Sequence, residues 1–472
     1  MIKNHLANTM LRYLSFSPTS DQQKLLEILA EFVIRQGEKE LLIIKGYAGT
    51  GKTSMISGFI KALQEMNIKT VLLAPTGRAA KVLAAYSETT ATTIHKKIYR
   101  QKSSKDAFGE FALDRNLTSN TFFIVDEASM LSAQNIEASV FGTGNLLRDL
   151  ISYVYNDKNC KLILVGDTAQ LPPVGLPLSQ AMNKEFLETY HISVHECELH
   201  EVVRHAQESG ILYNATAIRN LIETDSLKYP KFTINRFNDI CRIGGNEVLD
   251  NLTGAYHKHG MDETIVICRS NKIANKYNQG IRNQVLFREE ELSAGDFLMV
   301  VKNNYFWMAD SNKANFIANG DIVKIKRVKK CQEMYGFRFA EADIIMPDYG
   351  NMELSVRLLL DTLYSESPAL NADENKRLFF TIAEDYGNIP SLKTRYSNVK
   401  ENPYFNALQV KYAYAVTCHK SQGGQWRTVF IDQSYFRDEM LTPEYLKWLY
   451  TALTRATEKV FLVNFNKSFF NY

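Results

Sequence analysis

Apolar positions in the first half of the chain fall in short continuous runs, "LLIIK" (41–45), "TVLLA" (70–74), "TFFIVDE" (121–127) and "KLILVGD" (161–167). Segments with helical spacing separate them. Runs that are apolar on every position, rather than on alternate ones, predict strands buried on both faces, hence a parallel sheet covered by helices. A second set, "TIVIC" (264–268), "YAYAVT" (412–417), "TVFID" (428–432) and "KVFLVNF" (459–465), predicts another such α/β unit. Between them, roughly 290–405, the texture changes. "DFLMVVKNN", "GDIVKIKRV" and "FRFAEADIIM" alternate with period two between Gly and Asn turns, which predicts a small antiparallel barrel or sheet. No internal repeat of fixed period is visible.

Composition narrows the class without choosing a function. The 472 residues are 45% apolar, enough for about two to four domains. Lys and Arg number 55 against 52 Asp and Glu, for a net +3. That excludes a histone-like polycation and leaves room for a local basic groove. Cys160, Cys197, Cys241, Cys268, Cys331 and Cys418 are scattered, without CxxC or zinc-like pairing, and read as reduced thiols. No apolar run spans a bilayer, and the opening "MIKNHLANTMLRYLSF" is too polar for a signal peptide. A cytoplasmic globular protein with no membrane contact is expected.

Chemistry enters at "GYAGTGKT" (46–53), which matches G-x-x-x-x-G-K-[ST] between a strand and a helix. Backbone amides of Gly46, Ala48, Gly49, Thr50 and Gly51 would close around phosphates, with Ser54 just inside the helix whose positive end faces them. Lys52 would reach the β and γ oxygens, and Thr53 would ligate Mg²⁺. "IVDEAS" (124–129) ends a second strand in acids. Asp126 suits a Mg²⁺ held through water, and Glu127 suits a base that orients and deprotonates the attacking water. The pair predicts hydrolysis of a nucleoside triphosphate and leaves its purpose open.

Read in order, "TSDQQ" (19–23), "GYAGTGKT", "APTGRAAKVL" (74–83), "TTIHKKI" (92–98), "VDEAS", "GDTAQLPPVG" (166–175), "ELHEVVRH" (198–205), "YAYAVTCHKSQGGQW" (412–426) and "LYTALTRATEKVFLV" (449–463) resemble the motifs of superfamily 1 DNA helicases. The resemblance is to the RecD-like/Pif1-like, 5′→3′ branch, and within it to the Dda-like helicases of T4-like phages. It implies two RecA-like motor domains. One is expected at 1–180 and the other at 181–290 with 405–472; a pin insertion is expected at about 96–119. Residues 291–404 are then an SH3-like β insertion with a helical, charged arm from about 358, which would touch the pin.

The resemblance also carries residue roles. Gln22 would read the adenine edge, Gln170 would contact the γ-phosphate, and Arg204 and Arg455 would be arginines contributed by the second motor domain. A planar guanidinium suits a phosphate that gains charge in the transition state. Gly424, with Gly423, would let backbone approach the nucleotide. Asp167 would support the Mg²⁺ network from behind, and Pro172-Pro173 would stiffen a path from phosphate towards DNA.

Single-stranded DNA and single-strand/duplex junctions are the expected partners, with single-strand-binding or replication and repair proteins as further ones and a monomer as the working state. Pro75, Thr76, Thr93 and His95 in the first motor unit, and Thr417, His419, Lys420 and Ser421 in the second, would grip phosphates without reading sequence. Either histidine can instead be an ordinary core residue. Phe108 or Phe111 in the pin would stack on the first base pair; the alternative is a solvated loop with both rings packed underneath. A helicase of opposite polarity and a DNA-stimulated ATPase that does not unwind both remain open at this point.

Overall fold

A computed structural model describes residues 2–101, 111–134, 141–156, 159–203, 208–308 and 316–471. After helices Ile2–Arg12 and Ser20–Ile34, the first half supplies strands β1 (Glu40–Gly46), β2 (Lys69–Ala74), β3 (Ala91–Thr93), β4 (Tyr99–Gln101), β5 (Phe111–Leu113), β6 (Thr121–Val125), β7 (Lys161–Gly166) and β8 (Ser193–Leu199). Six of these form one parallel sheet in the order β3-β2-β6-β7-β1-β8, while β4 and β5 pair antiparallel as a separate hairpin. The continuous apolar runs have the predicted consequence. Leu41 and Ile43 of β1 enter one core with Phe123 and Leu162, and Leu42 and Ile44 enter the opposite core with Ile124 and Ile163.

One boundary moves. Ser193–Leu199 lies beyond the expected end of the first unit at 180, yet β8 pairs in parallel with β1 along its whole length. Its exposure alternates, with Val194, Cys197 and Leu199 buried and Ser193, Glu196 and Glu198 not. An edge strand needs only one apolar face, so it lacks the continuous run that marks its neighbours.

The second half supplies β9 (Ile240–Ile243), β10 (Thr264–Cys268), β11 (Phe297–Val300), β12 (Ile322–Met334), β13 (Phe337–Met346), β14 (Met352–Leu359), β15 (Leu408–Tyr412), β16 (Ala415–Thr417), β17 (Trp426–Asp432) and β18 (Ala456–Val463). A five-stranded parallel sheet runs β16-β10-β17-β18-β9, and β11 to β15 close into a barrel. The stretch "YAYAVT", expected as one strand, is divided between them: Tyr412 ends a barrel strand and Ala415 starts a sheet strand. Asn278 fixes the break, donating to Tyr412 O (3.3 Å) and Ala415 O (2.9 Å) while accepting from Ala415 N–H (2.8 Å). The Tyr414 hydroxyl donates to buried Asp296 at 2.7 Å.

The inserted barrel is continuous in chain with the second sheet but also touches the first unit. Lys81 pairs with Asp348 at 3.3 Å. A Cβ on Gly77 would sit 2.9 Å from Asp321 Oδ1. Tyr305 and Phe316 stack on Phe111 at the foot of the β4–β5 hairpin. The expected arm begins later than 358: β14 runs to Leu359, and helices Ala372–Asp385 and Leu392–Lys400 pack on Phe337, Phe339 and Leu359 of the barrel. Among the described residues, Tyr305 and Phe316 rather than the arm meet the hairpin. No helix among the described residues is long and apolar enough to cross a membrane.

Candidate active site

The phosphate loop leaves β1 at Gly46 and enters the helix Lys52–Glu65. Gly51 caps that helix at φ 79°, and a Cβ there would fall 2.5 Å from Gln22 Nε2. Both conditions restrict the position to glycine. The Lys52 ammonium donates to Gly46 O (2.6 Å) and Tyr47 O (2.9 Å) and lies 3.9 Å from Asp167 Oδ2, poised above the loop.

Gln22 is fully buried and belongs to a capping box. Its Oε1 accepts from Thr19 N–H (3.0 Å), and its Nε2 donates to Thr50 O (2.9 Å). It therefore ties the helix Ser20–Ile34 to the phosphate loop. Beside it a recess of about 1110 Å³ is lined by Phe16, Pro18, Gly51, Ser54, Val202 and Val203. Its walls mix apolar side chains with polar ones, among them Thr19 and Glu201, and it adjoins the phosphate cradle, a setting that suits a nucleotide base.

Asp126 and Glu127 follow β6. Asp126 Oδ1 accepts the Glu127 N–H at 2.8 Å, and Glu127 sits at φ 53°, a left-handed conformation that costs a non-glycine residue energy. Burial, and then the charge of Glu127, pushes the Asp126 carboxyl up to about 6. That carboxylate would be relieved by a cation. Across the seam, Arg455 is 3% exposed; it donates to Thr451 O (3.2 Å) and Gly424 O (3.3 Å), and its Nη1 lies 3.7 Å from Glu127 Oε1.

The exit of β7 is held by the second unit. Asp167 Oδ1 accepts from Ala169 N–H (3.0 Å) and Oδ2 from the Tyr450 hydroxyl (2.7 Å). The same Tyr450 oxygen accepts Ala48 N–H of the phosphate loop at 2.8 Å. Leu171 N–H donates to Thr451 Oγ1 (2.8 Å), and Gln422 Nε2 donates to Leu171 O (2.7 Å). Gln170, between these anchors, is 6% exposed, and its Oε1 is buried without a hydrogen-bond partner. A buried acceptor in that state suits a ligand or water that donates to it.

The expected DNA-facing residues divide. Pro75 and Thr76 precede the helix Gly77–Ser87, which Thr76 caps through Ala79 N–H at 3.2 Å. Thr93 caps the helix Ile94–Ile98 through Lys96 N–H at 3.3 Å. His95 packs among Tyr99, Phe141 and Phe316, and burial pushes its imidazole down to about 4, so it is neutral near pH 7. It follows the core alternative. Thr417 starts the turn Cys418–Ser421; burial lowers the pKa of His419 and takes Lys420 down to about 8. Lys420 Nζ donates to Asn319 Oδ1 at 2.7 Å.

Two expectations are corrected. Ser421 is 1% exposed and its hydroxyl donates to Cys418 O at 2.8 Å, so it braces the turn instead of facing a phosphate. Phe111 is 2% exposed, with Phe141 at 5.0 Å, Tyr305 at 4.6 Å and Phe316 at 6.0 Å; its ring is committed to a core and presents no face to a base pair. Phe108 and Arg204 lie outside the described residues.

Two cations escaped the reading of the motifs. Arg78 donates to Gln425 O (2.7 Å) and stacks 4.0 Å over Trp426, joining "PTGRAA" to "QGGQW". Gly424 is pinned against both, since a Cβ there would meet Trp426 at 2.5 Å and Arg78 at 3.1 Å. An arginine inside one motif and a tryptophan just after another was the available signal. Lys411, 8% exposed, shares a small recess with Thr417, Lys420 and Asn271, and no sequence pattern marks it.

The chain matches the family model described as "AAA domain" over residues 20–221 and the one described as "UvrD-like helicase C-terminal domain" over residues 412–463. It is 23% identical to the uncharacterized protein R530 of Acanthamoeba polyphaga mimivirus, across 93% of this chain and 98% of that protein. Identity to the ATP-dependent DNA helicase dda of Enterobacteria phage T4 is 26%, across 90% of this chain and 95% of the relative. The RecBCD enzyme subunit RecD of Buchnera aphidicola is 24% identical, across 91% of this chain and 71% of its own length.

Proposed function

We propose that the chain is a superfamily 1 helicase of the RecD-like/Pif1-like branch, which couples ATP hydrolysis to 5′→3′ movement along single-stranded DNA and to separation of duplex DNA. The observation that carries the reading is the seam itself. One parallel sheet carries a phosphate loop and two acids, and one of those acids, Glu127, lies 3.7 Å from a buried arginine contributed by the other sheet. A phosphate held in that seam is the natural link between its closing and its chemistry.

The roles follow from the donors present. Lys52 binds the β and γ oxygens, and Glu127 takes a proton from the attacking water. Gln170 directs Nε2 to a phosphoryl oxygen and Oε1 to that water. Arg455 meets the charge that builds on the phosphate in the transition state. Thr53 and Asp126 would hold a Mg²⁺ ion: Thr53 supplies a hydroxyl in the first turn of the helix after the phosphate loop, and Asp126 a carboxyl whose raised pKa reflects burial and a second nearby acid. Mg²⁺ would offset charge on the β- and γ-phosphates.

Pro75, Thr76 and Thr93 on one unit, and Thr417, His419 and Lys420 on the other, form two backbone grips whose relative strength changes as the seam closes and opens. Alternating grips convert closure into a step along the strand. Displacement assays on duplexes carrying a 5′ or a 3′ single-stranded tail test the proposal. Unwinding from the 5′ tail alone is expected, and unwinding from the 3′ tail alone would reverse the polarity. DNA-stimulated ATPase without displacement from either would mark a switch that does not unwind. Lys52→Ala should abolish the stimulated ATPase.

A further inference from the structure

We infer that Gln422 is a positioning residue that couples the DNA-gripping turn Thr417–Lys420 to the phosphate-facing Gln170 through the peptide of Leu171. The inference rests on the helicase reading and adds to it the route by which bound DNA reaches the chemistry.

Gln422 directly follows the turn Cys418–Ser421 and is 8% exposed. Its Nε2 donates to the carbonyl of Leu171, in the other motor unit, at 2.7 Å. The N–H of Leu171 donates to Thr451 Oγ1 at 2.8 Å, and the Thr451 hydroxyl itself donates to Lys447 O at 2.7 Å. Both polar groups of one buried residue are therefore held by the second unit, one by the strand-gripping turn and one by the helix that leads to Arg455. Leu171 is 1% exposed, so water cannot replace either partner without opening the seam.

There is little slack on either side of this joint. Pro172 follows, which keeps Leu171 out of the helical region and fixes its own φ. Gln170 precedes it, buried, with Oε1 unpartnered. A shift of the turn that grips DNA moves the Leu171 carbonyl, and the adjoining residue is the one whose carboxamide faces the nucleotide. Hydrogen bonds from Gln422 and Thr451 to a single peptide turn a change at the DNA into a displacement at the phosphate sensor.

The test compares full-length wild type with Gln422→Glu, which keeps the size and removes the donor, and with Thr451→Val, which breaks the other bond to the same peptide. Steady-state ATPase is measured with and without saturating oligo-dT, alongside ATP KM and oligo-dT affinity by fluorescence anisotropy. The stimulated kcat should fall about tenfold in each variant, the effect of leaving one buried peptide group unpaired. DNA-free turnover, ATP KM and the Kd for oligo-dT should stay within about twofold, the pattern of lost coupling and not of lost binding. Wild-type stimulation in both variants, or an equal fall in DNA-free turnover, would overturn the inference. A wild-type protein with no stimulation would overturn the helicase reading itself.

Discussion

Arg455 Nη1 lies 3.7 Å from Glu127 Oε1, a positive group of one unit held against the acid proposed to activate water in the other. The same Nη1 donates to Gly424 O, Nε donates to Thr451 O and Nη2 to Thr454 Oγ1, so the guanidinium plane is fixed before any nucleotide arrives. A lysine keeps the charge and loses the planar fork. Arg455→Lys should lower the stimulated kcat about a thousandfold, the usual worth of an arginine aimed at a transferring phosphoryl group. Oligo-dT affinity, measured by anisotropy, should not change. Retained turnover would reduce Arg455 to a brace for Gly424.

Tyr450 joins the two units more directly than any side chain named by the motifs. It accepts the Ala48 amide of the phosphate loop and donates to Asp167. Burial, followed by the Asp167 charge, raises its phenol well above its ordinary value, so it stays a neutral donor. Tyr450→Phe leaves both partners unpaired at a cost of about 1–3 kcal/mol. Amide exchange across 46–51 should then quicken about ten- to hundredfold, as local opening becomes easier by that amount. Unchanged exchange in that segment would mean the hydroxyl carries no load.

The parts of this molecule that could be read in advance are those with one dominant physical requirement. Leu41 to Ile44 must be buried on both faces, and a phosphate loop must spell its glycines and lysine in a fixed order. The parts that could not be read depend on partners far away in the chain. β8 is half-apolar because it lies at an edge. "YAYAVT" breaks because Asn278, more than a hundred residues earlier, bonds both sides of the break. Phe111 looks like an exposed ring in its local setting and is instead covered by Tyr305 and Phe316 from the inserted unit. Spacing alone carries no information about such covers.

If Lys420 and its neighbour Lys411 contact the strand as proposed, strand binding should be sensitive to alkaline pH. Burial takes both ammonium groups down to about 8, with Lys420 adding its repulsion to Lys411. The hydrogen-bond partners of both are neutral: Lys420 faces Asn319, and Lys411 faces the carbonyls of Thr362 and Ser365. Each is charged below its pKa and loses its charge above it, so attraction for phosphate is present near pH 7 and fades towards pH 9. Oligo-dT affinity should weaken by up to about tenfold per pH unit for each proton lost above pH 8. Lys420→Arg, which stays charged, should flatten the profile; an equally steep profile in that variant would exclude Lys420 as a titrating contact.

Phe111 anchors the β4–β5 hairpin from inside a core. It packs with Phe141, Tyr305 and Phe316, which join the β4–β5 hairpin of the first unit to the inserted barrel unit of the second. Removing a ring from such a site costs about 3–5 kcal/mol. Phe111→Ala should therefore lower the thermal unfolding midpoint and unwinding together, because the hairpin loses its footing on the inserted unit. Phe111→Leu, which refills most of the volume, should restore much of both. A ring that stacked on DNA would behave otherwise: Phe111→Ala would abolish unwinding at an unchanged unfolding midpoint, and Phe111→Leu would not rescue it. Scanning calorimetry beside a fork-displacement assay separates the two, and the burial of this side chain favours the first outcome.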